Sequence, residues 1–176
     1  YKNIIIIVII DMKSLIQVIN EKLKLSDIKE YKYYPKNKEE LVKFIDEEIS
    51  ANGFKCNLNC ICTSNITNMS RLFDDCEEFS MSDRCNTKNR LAKFDGDISE
   101  WDVSNVKTME KMFMYSKFNG DLSKWNISNV KDMYGMFEMA DFNNDSISNW
   151  NISNVKDTDD MFEGCPLEEK YKPKFN

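Results

Sequence analysis

Histidine is absent from the 176 residues. Its absence removes the commonest general base, the Ser–His and Cys–His nucleophile pairs, and every histidine-containing zinc site. An enzyme built from this chain would have to run on carboxylates, lysine or thiolate, so the sequence reads as non-catalytic and without a cofactor. Arginine is almost missing too, with Arg71, Arg84 and Arg90 as its only representatives. With 24 basic against 30 acidic side chains and a net charge of −6, the chain lacks the basic face that nucleic-acid binding requires. No apolar run is long enough to span a bilayer, which takes about 20 residues; the longest here is the seven aliphatics of residues 4–10. After that run Asp11-Met12-Lys13 offers no small-residue cleavage site and no lipoprotein-type cysteine follows. Residues 1–10 are therefore read as an apolar strand or a leader remnant. The six cysteines are too sparse for a disulfide-built scaffold, and their pairing stays open.

What the chain has instead is repetition. Asp97-Ile-Ser-Glu-Trp-Asp-Val-Ser-Asn-Val-Lys107 returns as Asp121-Leu-Ser-Lys-Trp-Asn-Ile-Ser-Asn-Val-Lys131, and again as Ile147-Ser-Asn-Trp-Asn-Ile-Ser-Asn-Val-Lys156. Trp101, Trp125 and Trp150 lie twenty-four and then twenty-five residues apart, as do Phe113, Phe137 and Phe162. A period of this length belongs to stacked repeat arrays. A degraded first copy sits upstream, where Leu58, Ile61, Thr63, Ile66, Met69, Leu72 and Phe73 align with Ile98, Trp101, Val103, Val106, Met109, Met112 and Phe113. The surplus, residues 74–89, reads as a polar insertion, and insertions in repeat arrays map to loops.

Within the unit, Ile98, Trp101 and Val103 suggest a short strand whose intervening residues face the other way. Val106, Met109, Met112, Phe113 and Ser116 recur at three- and four-residue steps, which predicts a helical turn or two behind a Ser104 N-cap. The residue at position 116 is small in every copy (Ser116, Ala140, Cys165, with Cys76 assigned to the first), as close stacking demands. Upstream, Leu15, Ile16, Val18, Ile19 and Leu23 fall near helical spacing. A second helix is better marked, with Asn37 as cap, Glu40 three residues on, an apolar stripe of Leu41, Phe44, Ile45 and Ile49, and Gly53 past the end.

Gly96-Asp-Ile-Ser-Glu-Trp-Asp-Val-Ser-Asn-Val-Lys-Thr-Met-Glu-Lys-Met-Phe113 and its successor from Phe118 to Phe137 resemble the BspA-like leucine-rich-repeat surface proteins, including the mycoplasma lipoprotein repeat of unknown function. The likeness extends over residues 35–176, from the Tyr34-Pro35 lead-in to the closing Cys165-Pro-Leu-Glu-Glu-Lys-Tyr-Lys-Pro-Lys-Phe175. It implies a solenoid displayed at a bacterial surface, with adhesion among the roles of such proteins. One departure from the general leucine-rich pattern is that Asn105, Asn129 and Asn154 come one place early. They are accordingly assigned to the strand-to-helix turn rather than to an internal asparagine ladder.

Other motifs weigh less. Cys56-x3-Cys60-x-Cys62 lacks the paired knuckle of a zinc site. Asp141-x-Asn143-x-Asp145 opens like a calcium loop but has Ser146 and Ile152 where glycine and glutamate belong. Glycosylation sequons at Asn65, Asn68, Asn126, Asn144 and Asn151 mostly follow from the repeat itself. The Met and Phe ladder shares the register of the Trp column and is read as core.

These observations combine into a short right-handed leucine-rich-repeat-like α/β solenoid. Its expected parts are a helical amino-terminal cap over 11–53, about four repeats over 54–165 and a closing segment over 166–176. The exposed row between the core positions, Glu100, Asp102 and Ser104, Lys124, Asn126 and Ser128, and Asn149, Asn151 and Ser153, is the expected binding face. The expected function is a non-catalytic module at the cell surface, or secreted, that engages a protein or glycan by multipoint hydrogen bonding. An intracellular scaffold domain is the alternative. No metal, nucleic acid or membrane span is expected.

Overall fold

In a computed structural model, residues 29–75 and 90–174 are described. The chain divides into a unit of residues 1–30 and a unit of residues 31–176, and only the second is considered below. The apolar run 4–10, the expected helix over 11–25, Cys76, Cys85 and most of the 74–89 insertion lie outside the described residues.

The expected leucine-rich-repeat-like α/β solenoid with a helical cap is not what forms. Among the described residues there is one α-helix, α1 (Lys38–Asn52), with short 3-10 segments at Arg90–Lys93, Asp145–Ile147 and Glu169–Tyr171. There is no strand or sheet among them, only isolated parallel bridges such as Asn68↔Thr108, Thr108↔Asp132 and Asp132↔Asp157.

The reason lies in how the apolar spacing is used. Ile98 and Trp101 are not strand neighbours. They bracket a tight turn in which the Trp101 N–H donates to the Ile98 carbonyl at 3.1 Å. The same three-residue closure joins Val106 to Val103 at 3.0 Å, Met112 to Met109 at 3.1 Å and Ser116 to Phe113 at 3.0 Å. An apolar-x-x-apolar pair thus turns both its ends inward across a bend. A run of such pairs folds the chain into a coil of successive corners, which imitates helical spacing without a helix.

Two backbone positions in each of the second to fourth coils, and Arg71 in the first, enforce this. Lys111 and Tyr115 have φ of 53° and 55°, and their equivalents one coil later, Gly135 and Met139, have 56° and 54°. A left-handed residue other than glycine costs about 1–2 kcal/mol and ends any right-handed helix. In exchange, alternate N–H groups turn outward to the next coil. Met109, Lys111, Phe113 and Tyr115 donate to the carbonyls of Asp132, Tyr134, Met136 and Glu138 at 2.8–2.9 Å. At about 0.5–1.5 kcal/mol net apiece, these bonds roughly offset the strain, so side-chain burial decides the balance.

That burial is columnar. Phe73, Phe113, Phe137 and Phe162 stack ring on ring at centroid spacings of 5.5, 5.5 and 5.7 Å. Beside them runs a second column of Phe94, Phe118 and Phe142. A fully buried side chain of this kind contributes roughly 1.5–3 kcal/mol. Each indole also ties one coil to the one before, because Trp101, Trp125 and Trp150 donate Nε1–H to the carbonyls of Leu58, Ile98 and Leu122 at 3.0, 3.1 and 3.3 Å. The small position beside the Phe columns is held by Ala92, Ser116, Ala140 and Cys165. Ser116 donates to the Ala92 carbonyl at 3.3 Å, so Ala92, placed after the insertion, takes the first-copy place assigned to Cys76.

Helix α1 forms where the capping residues predict. The Asn37 side chain accepts from the Glu40 N–H at 2.9 Å, Glu40 accepts from the Lys36 N–H at 2.9 Å, and Gly53 at φ 83° closes the end. Leu41, Ile45 and Ile49 are buried with the core of the first coil. Lys38 donates to the Ser70 carbonyl, and Arg90 holds Asp46 at 2.6 Å. The buried Glu48 carboxylate accepts from Lys32, from the Tyr33 hydroxyl at 3.0 Å and from Asn52 at 3.1 Å. Lys32, the strongest of these partners, holds the Glu48 carboxyl below its ordinary value.

Candidate functional site

Of the nine residues expected to form a binding face, Asn126, Ser128, Asn149 and Asn151 line one cleft and Glu100 pairs with Lys124, all at corners of coils rather than on strands. Glu100, Lys124 and Asn149 occupy the same place in successive tight turns. All nine are exposed except the half-buried Ser104. Three have structural work of their own. The Asp102, Asn126 and Asn151 side chains accept the N–H of Ser104, Ser128 and Ser153 at 3.0, 3.2 and 3.1 Å. An Asp or Asn that takes the N–H two residues on closes the bend locally.

The same device recurs at the other corners, with Asp97 to Ser99, Asp121 to Ser123 and Asp132 to Tyr134. It also explains four of the five sequons. Asn68, Asn126, Asn144 and Asn151 each accept the N–H of the serine two residues later, so the Asn-x-Ser pattern is a turn signature.

Asn105, Asn129 and Asn154 depart from their expected role. Their side-chain amides donate to the Ser64, Ser104 and Ser128 carbonyls of the preceding coil at 2.9, 2.7 and 3.2 Å. They therefore do form a ladder between coils, on the exposed surface instead of inside. Their regular spacing was the signal, and it belongs to stacking.

Electrostatically the row is nearly self-compensated. Lys124 pairs with Glu100, whose carboxylate holds the Lys124 ammonium above its ordinary value. With both partners well exposed, such a pair contributes little to stability. Between the third and fourth coils the row opens into a cleft of about 190 Å³. Asn126, Ser128, Asn149 and Asn151 line it, with the edges of Trp125 and Trp150 at its base. The two indoles, Asn154, Ser123 and Ile127 also line it, and the sequence alone did not assign them to a site. The cleft offers amide and hydroxyl groups beside aromatic edges, and no nucleophile–base pair.

Among the described residues, no three His, Cys, Asp or Glu side chains converge as a metal site would require. Burial pushes the Cys56 and Cys60 thiols up, which disfavours thiolate chemistry there. No helix among the described residues is long and apolar enough to cross a membrane.

A family model described as "Mycoplasma protein of unknown function, DUF285" matches residues 11–92 and again residues 83–172. The chain belongs to that family. No curated protein and no solved structure matches it.

Proposed function

We propose that this DUF285 chain is a non-catalytic binding module that takes a protein or glycan ligand at the polar row of its coil corners. The observation that supports this most directly is the cleft between the third and fourth coils. There Asn126, Ser128, Asn149 and Asn151 surround the edges of two indoles. Aromatic edges beside a few convergent amides suit a ligand rich in hydroxyl or amide groups. The variation among copies also supports it, because Glu100, Lys124 and Asn149 share one place and differ in charge while the core positions repeat. Display at a bacterial surface belongs to the same reading and rests on the sequence resemblance.

The test separates binding from turn closure. Asn126 and Asn151 close bends, so the informative substitutions are Asn149→Ala and Ser128→Tyr, the second of which fills the cleft. The wild type and both variants are screened against immobilised glycans and peptides, with thermal melts in parallel. Ligands of the wild type should lose at least about tenfold in affinity with both variants while the melts stay within a few degrees, since exposed substitutions away from special features change stability little. Retained affinity in both variants removes the row as the site.

A further inference from the structure

The fourth coil repeats the backbone of its predecessors, and no further coil follows it among the described residues. In the third coil Met133, Gly135, Phe137 and Met139 donate their N–H groups to the carbonyls of Asp157, Asp159, Met161 and Glu163 at 2.8, 2.9, 2.9 and 2.7 Å. Their equivalents in the fourth are Thr158, Asp160, Phe162 and Gly164. Asp160 and Gly164 keep the left-handed φ of that pattern, at 56° and 65°, so the four N–H groups emerge on the side where a fifth coil would lie. None of the four donates to a partner among the described residues. Pro166, standing where Lys117 and Asp141 donate their N–H groups back to Ala92 and Ser116 of the preceding coil, has no N–H with which to make that rung to the third coil. A groove of about 270 Å³ runs along this edge, with Thr158, Asp160, Phe162 and Glu163 on one side and Glu169 and Lys172 on the other.

We infer that this edge docks an extended, lysine-rich peptide segment of a partner protein, which adds its carbonyls to the four free donors as a further rung. An open row of backbone donors is a template for such addition, and side-chain charge supplies the choice of partner. The unpaired charge lining this groove is acidic. Glu169 is neutralised by Lys172 and Glu168 by Lys170, whereas the exposed Asp157, Asp159, Asp160 and Glu163 form no ion pair among the described residues. A segment with a basic residue at every second position places its cations along that rim while its backbone meets the N–H groups. A second copy stacked end to end is the poorer occupant, because helix α1 is buried against the opposite end of the stack.

The test is amide hydrogen exchange on the full chain, read residue by residue. The probes are an acetylated, amidated octapeptide alternating Lys and Thr and its counterpart alternating Glu and Thr. In the free chain the amides of Thr158, Asp160, Phe162 and Gly164 should exchange at least about a hundredfold faster than those of Met133, Gly135, Phe137 and Met139, since unbonded edge amides need no opening. The Lys/Thr peptide should slow the four edge amides about tenfold or more, and the Glu/Thr peptide should leave them unchanged. An Asp159→Lys/Glu163→Lys double variant, altered only at exposed positions, should lose about tenfold in affinity for the Lys/Thr peptide. The inference is overturned if the edge amides are already as protected as their third-coil counterparts, or if the Lys/Thr peptide protects none of them. It is equally overturned if both peptides protect alike or if the double variant binds as the wild type does. The Asn149→Ala variant should keep edge protection intact, so failure of the polar-row reading leaves this result distinguishable.

Discussion

The two ends of the coil stack finish the same repeat in different ways. At the amino-terminal end α1 lays Leu41, Ile45 and Ile49 into the core, all at or below 3 % exposure. Its Lys38 takes the Ser70 carbonyl and its Asp46 is held by Arg90. At the carboxy-terminal end the last ring, Phe162, is stacked on one face by Phe137 and overhung on the other by the Lys172 side chain. Its neighbouring N–H donors meet no acceptor among the described residues. The difference teaches that stacking supplies pairing in one direction only, so each terminal coil needs a foreign element or remains a binding edge.

Substitution inside the stack sets the upper limit for that comparison. Trp125→Ala and Phe113→Ala each remove a ring with partners on both sides and should cost about 3–5 kcal/mol, with cooperative loss of the whole unit in a urea or thermal melt. Phe162→Ala, at the open end, should cost less than half as much. Equal losses would mean that the carboxy-terminal end is as well closed as the middle.

At the other end, Ile45→Ala should cost about 2–5 kcal/mol, because Ile45 is fully buried where the helix meets the core of the first coil. A melt shifted no more than that of Phe162→Ala would show that α1 packs loosely.

A smaller effect concerns Glu48, whose folded pKa lies below the ordinary 4.5 because Lys32 donates to it. A depressed carboxyl stabilises the fold above its unfolded pKa and loses that contribution as pH falls through the folded value. Stability should therefore decline below about pH 4.5 more steeply in the wild type than in Glu48→Gln, as denaturant midpoints across acid pH will read. Parallel declines would remove this carboxylate from the amino-terminal anchorage.

The smallest change is expected on the outside. Asn129→Ala removes an exposed hydrogen bond from the side-chain amide to the Ser104 carbonyl and should cost about 0.5–1 kcal/mol. Asn154→Ala, nearer the open end, should cost no more than that, measured by urea midpoint.

The parts legible in the sequence are those fixed by local chemistry. Asn37, Glu40 and Gly53 mark the ends of α1 through bonds made within a few residues. The Trp and Phe columns were visible because stacked coils must repeat their buried positions. The strand and helix assignments failed for a definite reason. A three-residue apolar interval fits a strand-like pair, a helix face or the two ends of a tight turn, and composition does not separate them. The choice was made by left-handed residues such as Lys111 and Tyr115, which carry no side-chain signature of that conformation. At the candidate site, the exposed row was readable as the variable part of the repeat. That Asp102, Asn126 and Asn151 spend an oxygen on their own bends was not, because an Asn-x-Ser spacing serves turn, sequon and binding face alike.

The sequence by itself determined the period, the buried columns and the anchoring helix, since each follows from side-chain type at fixed spacing. Only the tertiary structure decided that the repeat is a coil of turns without strand or helix. That outcome depends on whether an N–H group bonds within its own segment or to the next coil, and it is the presence of a neighbour twenty-four residues away that makes the second arrangement the favourable one.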